Sequence, residues 1–283
     1  MNYNALTADE FSEHRPWNFE VVRDVDALNR RIAREAVDAI GEAGRQGRSI
    51  LIITPVGPLE YSYWAEICNE EGVSCKPLVT IGMDEYLNDD DHSIPTNHPL
   101  SFRNYVHSSL VENLNPELRP DPENVRFPDP HHPEETTEFV ESFGGADLCY
   151  GAFGITGHFA FNDPPRGDEP ENTGPDTRTR KVTILPESKA QMCMGGTHGN
   201  WDILPDRAVT LGMYELLMSK KIHLTFMRSW HAGVLRRALF GPVTDQCPGS
   251  FIQQHPDVRI TLTELAAAPP LIDVTQDTGE ESE

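Results

Sequence analysis

The sequence predicts a doubly wound α/β fold, a mostly parallel sheet with helices on both faces. Two patterns carry that expectation. Short β-branched runs of the kind buried on both faces, such as Ile50 to Ile53, alternate with amphipathic helical stretches. The chain shows neither an internal repeat nor a long interior linker, so residues 1–270 read as one α/β domain followed by an acidic tail over 271–283.

In chain order, "VDALNRRIAREAVDAIGEAG" sets Leu28, Ile32, Ala36, Ala39 and Ile40 at helical spacing and predicts a helix over 25–44. "RSILIIT" gives the first buried strand, and "TPVGPLEYSYWAEICNEEG" a turn entering a helix. "KPLVTIGMDEYL" reads as a second strand ending at Met83-Asp84-Glu85-Tyr86. The acidic, turn-rich "NDDDHSIPTNHP" precedes a helical "LSFRNYVHSSLVENL". A short strand from Val125 to Phe127 and a helix over 134–143 lead into "ADLCYGAFG", the third buried strand. Residues 166–179 are polar and rich in Pro and Gly, and read as a surface excursion or lid. "RAVTLGMYELLMSKKIHLTFMRSWHAGVLRRALFG" alternates strand, helix, strand and helix, and "VRITLTELAA" supplies a last strand.

Composition narrows the function. With 23 Lys plus Arg against 45 Asp plus Glu, the net charge is −22, spread along the chain. Such a field repels nucleic acid and anionic membrane, and it obliges any anionic ligand to find a local positive pocket. The five cysteines are odd in number and lack metal or redox spacing, which fits a reducing compartment. The N-terminus shows no basic and apolar leader and no stretch is long enough to span a membrane, so the expected location is the cytoplasm.

Ligands in doubly wound sheets bind beyond the carboxyl ends of the strands. Three segments fall there: "TPVGPLE", "GMDEYL" and "GITGHFAFNDPP". In the second, Asp84 and Glu85 are adjacent acids after an apolar run, and in a strand-like exit they point in opposite directions. One can face the cleft as a general base while the other braces the scaffold, or both can cap the next helix. In the third, His158 lies five residues before Asp163, a carboxylate able to fix its tautomer. A loop histidine and a turn-capping aspartate satisfy the same residues, so both readings stand at this point. His92, His98, His131 and His132 lack ligand spacing, so no metal is expected, and nucleophile-elbow, Walker and dinucleotide signatures are missing. The basic stretch "RTRK", 178–181, suits an anion or a solvated edge.

Taken together, "GMDEYL", "NHPLSFRNYV", "GAFGITGHFAFNDP", "TRTRKVTIL", the long strand-helix-strand-helix unit and "SFIQQHPDV" resemble the glucosamine-6-phosphate deaminase (isomerase) family over most of the chain. The related 6-phosphogluconolactonases share the fold and the glycine frame around the histidine, but not the MDEY and FNEP motifs. The resemblance implies a Rossmann-like sugar isomerase that needs no metal or organic cofactor. It implies Asp84 as the base moving a proton between C2 and C1, His158 as the ring-opening group, and Asp163 as its carboxylate partner. Thr156 stands in the catalytic motif where the family has an aspartate, which removes a negative charge. Gly57, Glu85, Arg103, Gly154, Gly157, Asn162 and His231 fall at substrate-binding positions.

The phosphate side departs from the family. "TPVGPLEY" keeps Gly57 but brings Glu60 to the place of a dianion. The family's arginine aligns near Met194 and its lysine with His231, leaving Arg103, Arg228 and His231 as replacements. The implied partner is a small sugar or sugar phosphate, with no nucleic acid or membrane, and a homo-oligomer left open. Two alternatives accompany this reading: a catalytically impaired sugar-binding relative, and a sugar-lactone hydrolase.

Overall fold

The computed structural model describes residues 2–57, 59–166 and 174–270. Seven strands form a parallel sheet in the order β1-β10-β9-β6-β2-β3-β5: Asn18–Val22 (β1), Val258–Thr263 (β10), Ile222–Phe226 (β9), Leu148–Gly151 (β6), Ile50–Thr54 (β2), Leu78–Gly82 (β3) and Val125–Arg126 (β5). Every residue of β2, β3, β6 and β9 is buried, as the continuous apolar runs require of strands covered on both faces. The helix Val25–Arg45 starts at Asp24, whose side chain accepts the Ala27 N–H, and buries Leu28, Ile32, Ala36 and Ile40.

The segment "KPLVTIGMDEYL" is not one strand. It divides at Met83, and Asp84–Leu87 (β4) joins a second, antiparallel sheet with Arg180–Thr183 (β7) and Arg207–Thr210 (β8), in the order β4-β8-β7. Met83 belongs to both sheets: its N–H donates to the Thr54 carbonyl at 3.0 Å, and its carbonyl accepts the Leu211 N–H at 2.8 Å. All four β4 residues are buried as well, the two acids included, so burial does not change at the transfer. The basic stretch 178–181 runs into the first two residues of β7. There Arg178 pairs with Glu141 at 3.0 Å and Lys181 with Asp91 at 2.9 Å, which neutralises most of it. β1, β7 and the helix Pro186–Gly196 were not legible as elements. Half of the lid expected over 166–179, residues 167–173, and the tail 271–283 lie outside the described residues.

Beneath the sheet, Glu35 ties the long helix to β9 and β10. It hydrogen-bonds the buried His223 ring and pairs with Arg259 at 3.0 Å. Burial opposes its ionisation, but His223 and then Arg259 outweigh burial and pull its pKa from 4.5 to about 2. A depressed carboxylate stabilises the fold above its unfolded pKa and loses that contribution as pH falls through the folded value. Glu35→Gln should therefore lower stability at pH 7 by roughly 3 kcal/mol, the size of such a shift, and flatten the acid limb between about pH 4.5 and 2 in urea titrations. An unaltered acid limb would contradict this role.

Candidate active site

The carboxyl ends of β2, β3 and β6 bring the three polar segments to one edge. Thr54 pairs in register with Gly82, so Asp84 lies two residues beyond the edge of the large sheet, opposite Thr210 in the small one. The β6 exit is fastened to the same place. Thr210 Oγ1 accepts the Phe161 N–H at 3.0 Å, and Asn162 Nδ2 donates to the Leu211 carbonyl at 2.9 Å. Gly151 completes the fit, because a Cβ there would lie 2.3 Å from the Phe159 ring and 3.1 Å from the Met83 methyl.

Asp84 and Glu85 part as strand alternation requires. The Asp84 side chain is buried and makes no hydrogen bond among the described residues. Burial, with the Glu85 charge beside it, pushes its carboxyl well above the usual carboxylate range. Glu85 is fully buried and caps the helix Phe102–Val106. Its oxygens accept from the N–H groups of Tyr86 (2.9 Å), Phe102 (3.1 Å) and Arg103 (3.0 Å) and from Ser101 Oγ (2.9 Å). Its assignment to substrate binding is therefore corrected: both oxygens are spent on the scaffold. Asn162 is corrected for the same reason. Its amide donates to the Phe159 and Leu211 carbonyls, and its oxygen accepts from Arg180 at 2.7 Å.

His158 Nδ1 lies 2.9 Å from Asp163 Oδ1. Thr156 Oγ1 and Ser188 Oγ surround the same nitrogen at 3.0 and 2.9 Å, and both hydroxyls donate to Asp163, at 2.8 and 2.6 Å. With both hydroxyl protons directed to the carboxylate, Nδ1–H is the donor that matches Asp163. Nε2 is then left unprotonated for chemistry in the neutral ring. Burial alone would raise the Asp163 pKa, but the neighbouring imidazole and the two hydroxyls hold it below its ordinary value. Thr156 thus supplies a hydrogen bond where an acid would supply charge. Ser188, from the first turn of the helix Pro186–Gly196, was missed; a lone serine after Leu-Pro-Glu carries no distinctive spacing.

The glycine frame shapes this loop. Gly157 has φ of +87° and faces Cys247, whose Sγ would lie 2.5 Å from an added Cβ. At Gly154 an added Cβ would lie 2.0 Å from His158 Nε2. Both glycines act on the position of the histidine rather than as polar ligands. Gly154→Ala must displace the imidazole, and about a 10²-fold loss of turnover is expected for a shift near 1 Å. Turnover within threefold of wild type, measured on folded variant, would contradict this.

The positions read for the far end of a sugar behave differently. Gly57 takes φ of +60° with open space where a Cβ would be. Arg103 is tied to Glu85 at 3.2 Å and to the Ile94 carbonyl at 3.0 Å. His231 is buried, and its Nδ1 accepts the N–H groups of Met227 (3.1 Å) and Arg228 (3.0 Å). Burial and the Arg228 charge push its pKa down to about 3, so it is neutral and does not replace a lysine as a cation.

No family model matches the chain. Among known proteins it is 28% identical over 257 residues to the glucosamine-6-phosphate deaminase of Rhodopirellula baltica, covering 88% of this chain and 94% of that one. It is also 28% identical over 224 residues to the glucosamine-6-phosphate deaminase of Exiguobacterium sibiricum, covering 79% and 81%. Among solved structures, a monomeric glucosamine-6-phosphate deaminase described as a missing link of the NagB superfamily superposes with a TM-score of 0.76 at 22% identity, covering 88% and 98%. A 6-phosphogluconolactonase from Shewanella baltica gives 0.60 at 16% identity, covering 87% and 97%. The chain is thus similar in sequence to glucosamine-6-phosphate deaminases along most of its length, and it shares the fold of the solved one.

Proposed function

We propose that the chain is a sugar isomerase of the glucosamine-6-phosphate deaminase type, acting at the edge formed by β2, β3 and β6. One observation carries the reading: a buried, unpartnered Asp84 pairs in register with Thr210, and the loop that holds the Asp163-oriented His158 is bonded through Phe161 and Asn162 to the Thr210 hydroxyl and the Leu211 carbonyl. These groups suit two successive proton transfers.

In the first, His158 Nε2 takes the proton of the anomeric hydroxyl and returns one to the ring oxygen, opening the pyranose. Asp163 stabilises the imidazolium formed in between. In the second, the Asp84 carboxylate removes the C2 proton of the open-chain aldehyde while the aldehyde oxygen takes a proton from water, giving an enol, and Asp84 then returns its proton to C1. With an amino group at C2, the nitrogen releases a proton to water as C1 gains one, the product is a ketimine, and water hydrolyses it to the ketose and ammonia. Burial and the Glu85 charge raise the Asp84 pKa, which makes it a stronger base than an exposed carboxylate.

The test is incubation with 2-amino-2-deoxyaldoses, each with and without a 6-phosphate, in deuterium oxide. Deuterium entering the carbon chain with ketose and ammonia formed supports the reading. Acid release from a sugar lactone without such exchange would replace it with lactone hydrolysis.

A further inference from the structure

Cys68 and Cys75 lack the spacing of a redox motif in the sequence, yet the fold brings their sulfurs into contact. The helix Ser62–Glu71 ends at Gly72, whose φ of +68° turns the chain back, and the Val73 N–H donates to the Cys68 carbonyl at 3.0 Å. Beyond this turn the main chain also fixes Cys75. Its N–H donates to the Leu118 carbonyl at 2.7 Å, and its carbonyl accepts the Leu78 N–H, at the start of β3, at 3.0 Å. The two Sγ atoms then face each other at 3.5 Å, and both residues are fully buried.

The pair is not a metal site, because no third His, Cys, Asp or Glu completes a ligand set among the described residues. Nor are the two thiols equivalent. The hydrogen bond with Cys75 lowers the Cys68 pKa, burial opposes it, and the charge of Arg34, tied to the same helix through Glu71 at 2.6 Å, lowers it further. The hydrogen bond with Cys68 and burial raise the Cys75 pKa. Cys68 is therefore the sulfur suited to attack as a thiolate, and Cys75 the one suited to resolve. Cys149, Cys193 and Cys247 are buried too, and none of them meets a second thiol among the described residues. Cys75 also lies on a surface turn whose Gly72, Ser74 and Lys76 are exposed, so a local opening admits a small oxidant without unfolding the sheet.

We propose that Cys68 and Cys75 are a reversible oxidation site, where a hydroperoxide converts the dithiol to a disulfide that ties the end of the helix Ser62–Glu71 to the entry of β3. The Cys68 thiolate attacks a peroxide oxygen; an S–O bond forms, the O–O bond breaks, and the alkoxide or hydroxide released takes up the proton that Cys68 gave up. The Cys75 sulfur then attacks the Cys68 sulfenic acid; the S–S bond forms, the S–O bond breaks, and hydroxide leaves with the Cys75 proton as water. Two electrons pass from the thiols to one peroxide bond, and a small thiol reverses the step by exchange. An S–S bond of about 2.05 Å asks each sulfur to move by less than about 1 Å. The bond closes a loop from residue 68 to residue 75 and removes entropy from the unfolded chain. It sits at the amino end of β3, away from the edge that carries Asp84, so it acts on stability and is independent of the isomerase reading.

The test treats the folded full chain with hydrogen peroxide, quenches with N-ethylmaleimide and maps every cysteine by mass spectrometry. A peptide linked through Cys68 and Cys75, released again by dithiothreitol, should form about tenfold or more faster than oxidation of Cys149, Cys193 or Cys247. The linked protein should melt about 5 °C above the reduced one. In Cys75→Ser, Cys68 should accumulate as a sulfenic acid trapped by dimedone, whereas in Cys68→Ser, Cys75 should stay reduced. Earlier oxidation of the isolated cysteines, a link that forms only in urea, or a link that leaves Tm unchanged overturns the inference. The reverse pattern in the two serine variants overturns the assigned roles. The linkage map needs only the wild-type chain, so it decides the matter even where a serine variant fails to fold.

Discussion

Asp84→Asn should reduce deuterium exchange on the substrate carbon chain by about 10³-fold, within the range ascribed to a positioned general base, while sugar affinity stays within a few-fold. The same substitution should raise thermal stability. Burial and Glu85 hold the Asp84 pKa above its unfolded value, so ionised Asp84 destabilises the fold. That penalty is absent below the unfolded pKa of about 4, grows as pH rises toward the folded value, and is complete above it. Removing the charge at pH 8 should therefore raise Tm by about 2–4 °C for each kcal/mol relieved. Loss of exchange with a raised Tm separates a missing base from a misfolded protein. Loss of exchange with a lowered Tm would assign Asp84 to the scaffold.

Asp163→Asn should slow turnover of ring-closed sugars by about 10²-fold, toward the low end of effects ascribed to proton-transfer groups. The amide removes the charge that stabilises the imidazolium, and the Thr156 and Ser188 hydroxyls lose a charged acceptor. An acyclic analogue whose ring-closing hydroxyls are methylated should bypass the step. Its exchange rate should change by threefold or less, because Asp84 alone acts on it. Equal losses on the cyclic and acyclic compounds would mean that Asp163 holds the whole edge together and has no special part in ring opening. The carboxylate has a second structural contact, Oδ2 accepting the Leu185 N–H at 3.2 Å. An amide rotated to keep its oxygen there would turn its NH₂ toward Nδ1, so the variant's stability belongs in the same measurement.

The parallel sheet was legible because burial on both faces leaves a simple trace in composition. Ile50 to Ile53, the β6 run and the β9 run each stand between helical stretches, and each lies in the large sheet. The small antiparallel sheet left no such trace. Its first strand follows β3 with only Met83 between them, and the change of sheet at Met83 depends on Leu211, a residue 128 positions away along the chain. β7 was obscured because it is short, begins within the basic stretch and covers its alternate residues, Arg180 and Val182, only in part.

At the site, local pairs were more legible than distant ones. Five residues separate His158 from Asp163, and one turn closes that distance. Opposite directions for Asp84 and Glu85 follow from strand alternation alone. Which of the two acids faces inward depends on Ser101 and the helix after it, so Glu85 and its cap could not be separated from a binding role in advance. Ser188 joins the histidine from 30 residues away.

The pH profile of carbon-chain deuterium exchange, followed by proton NMR on wild type and Asp84→Asn with a sugar both proteins bind, examines the proposed base itself. Wild-type exchange should rise through an apparent pKa well above the usual carboxylate range and level off, and this limb should vanish in the variant. An exchange rate that Asp84→Asn leaves intact, with the same pH dependence, would show that another group moves the proton.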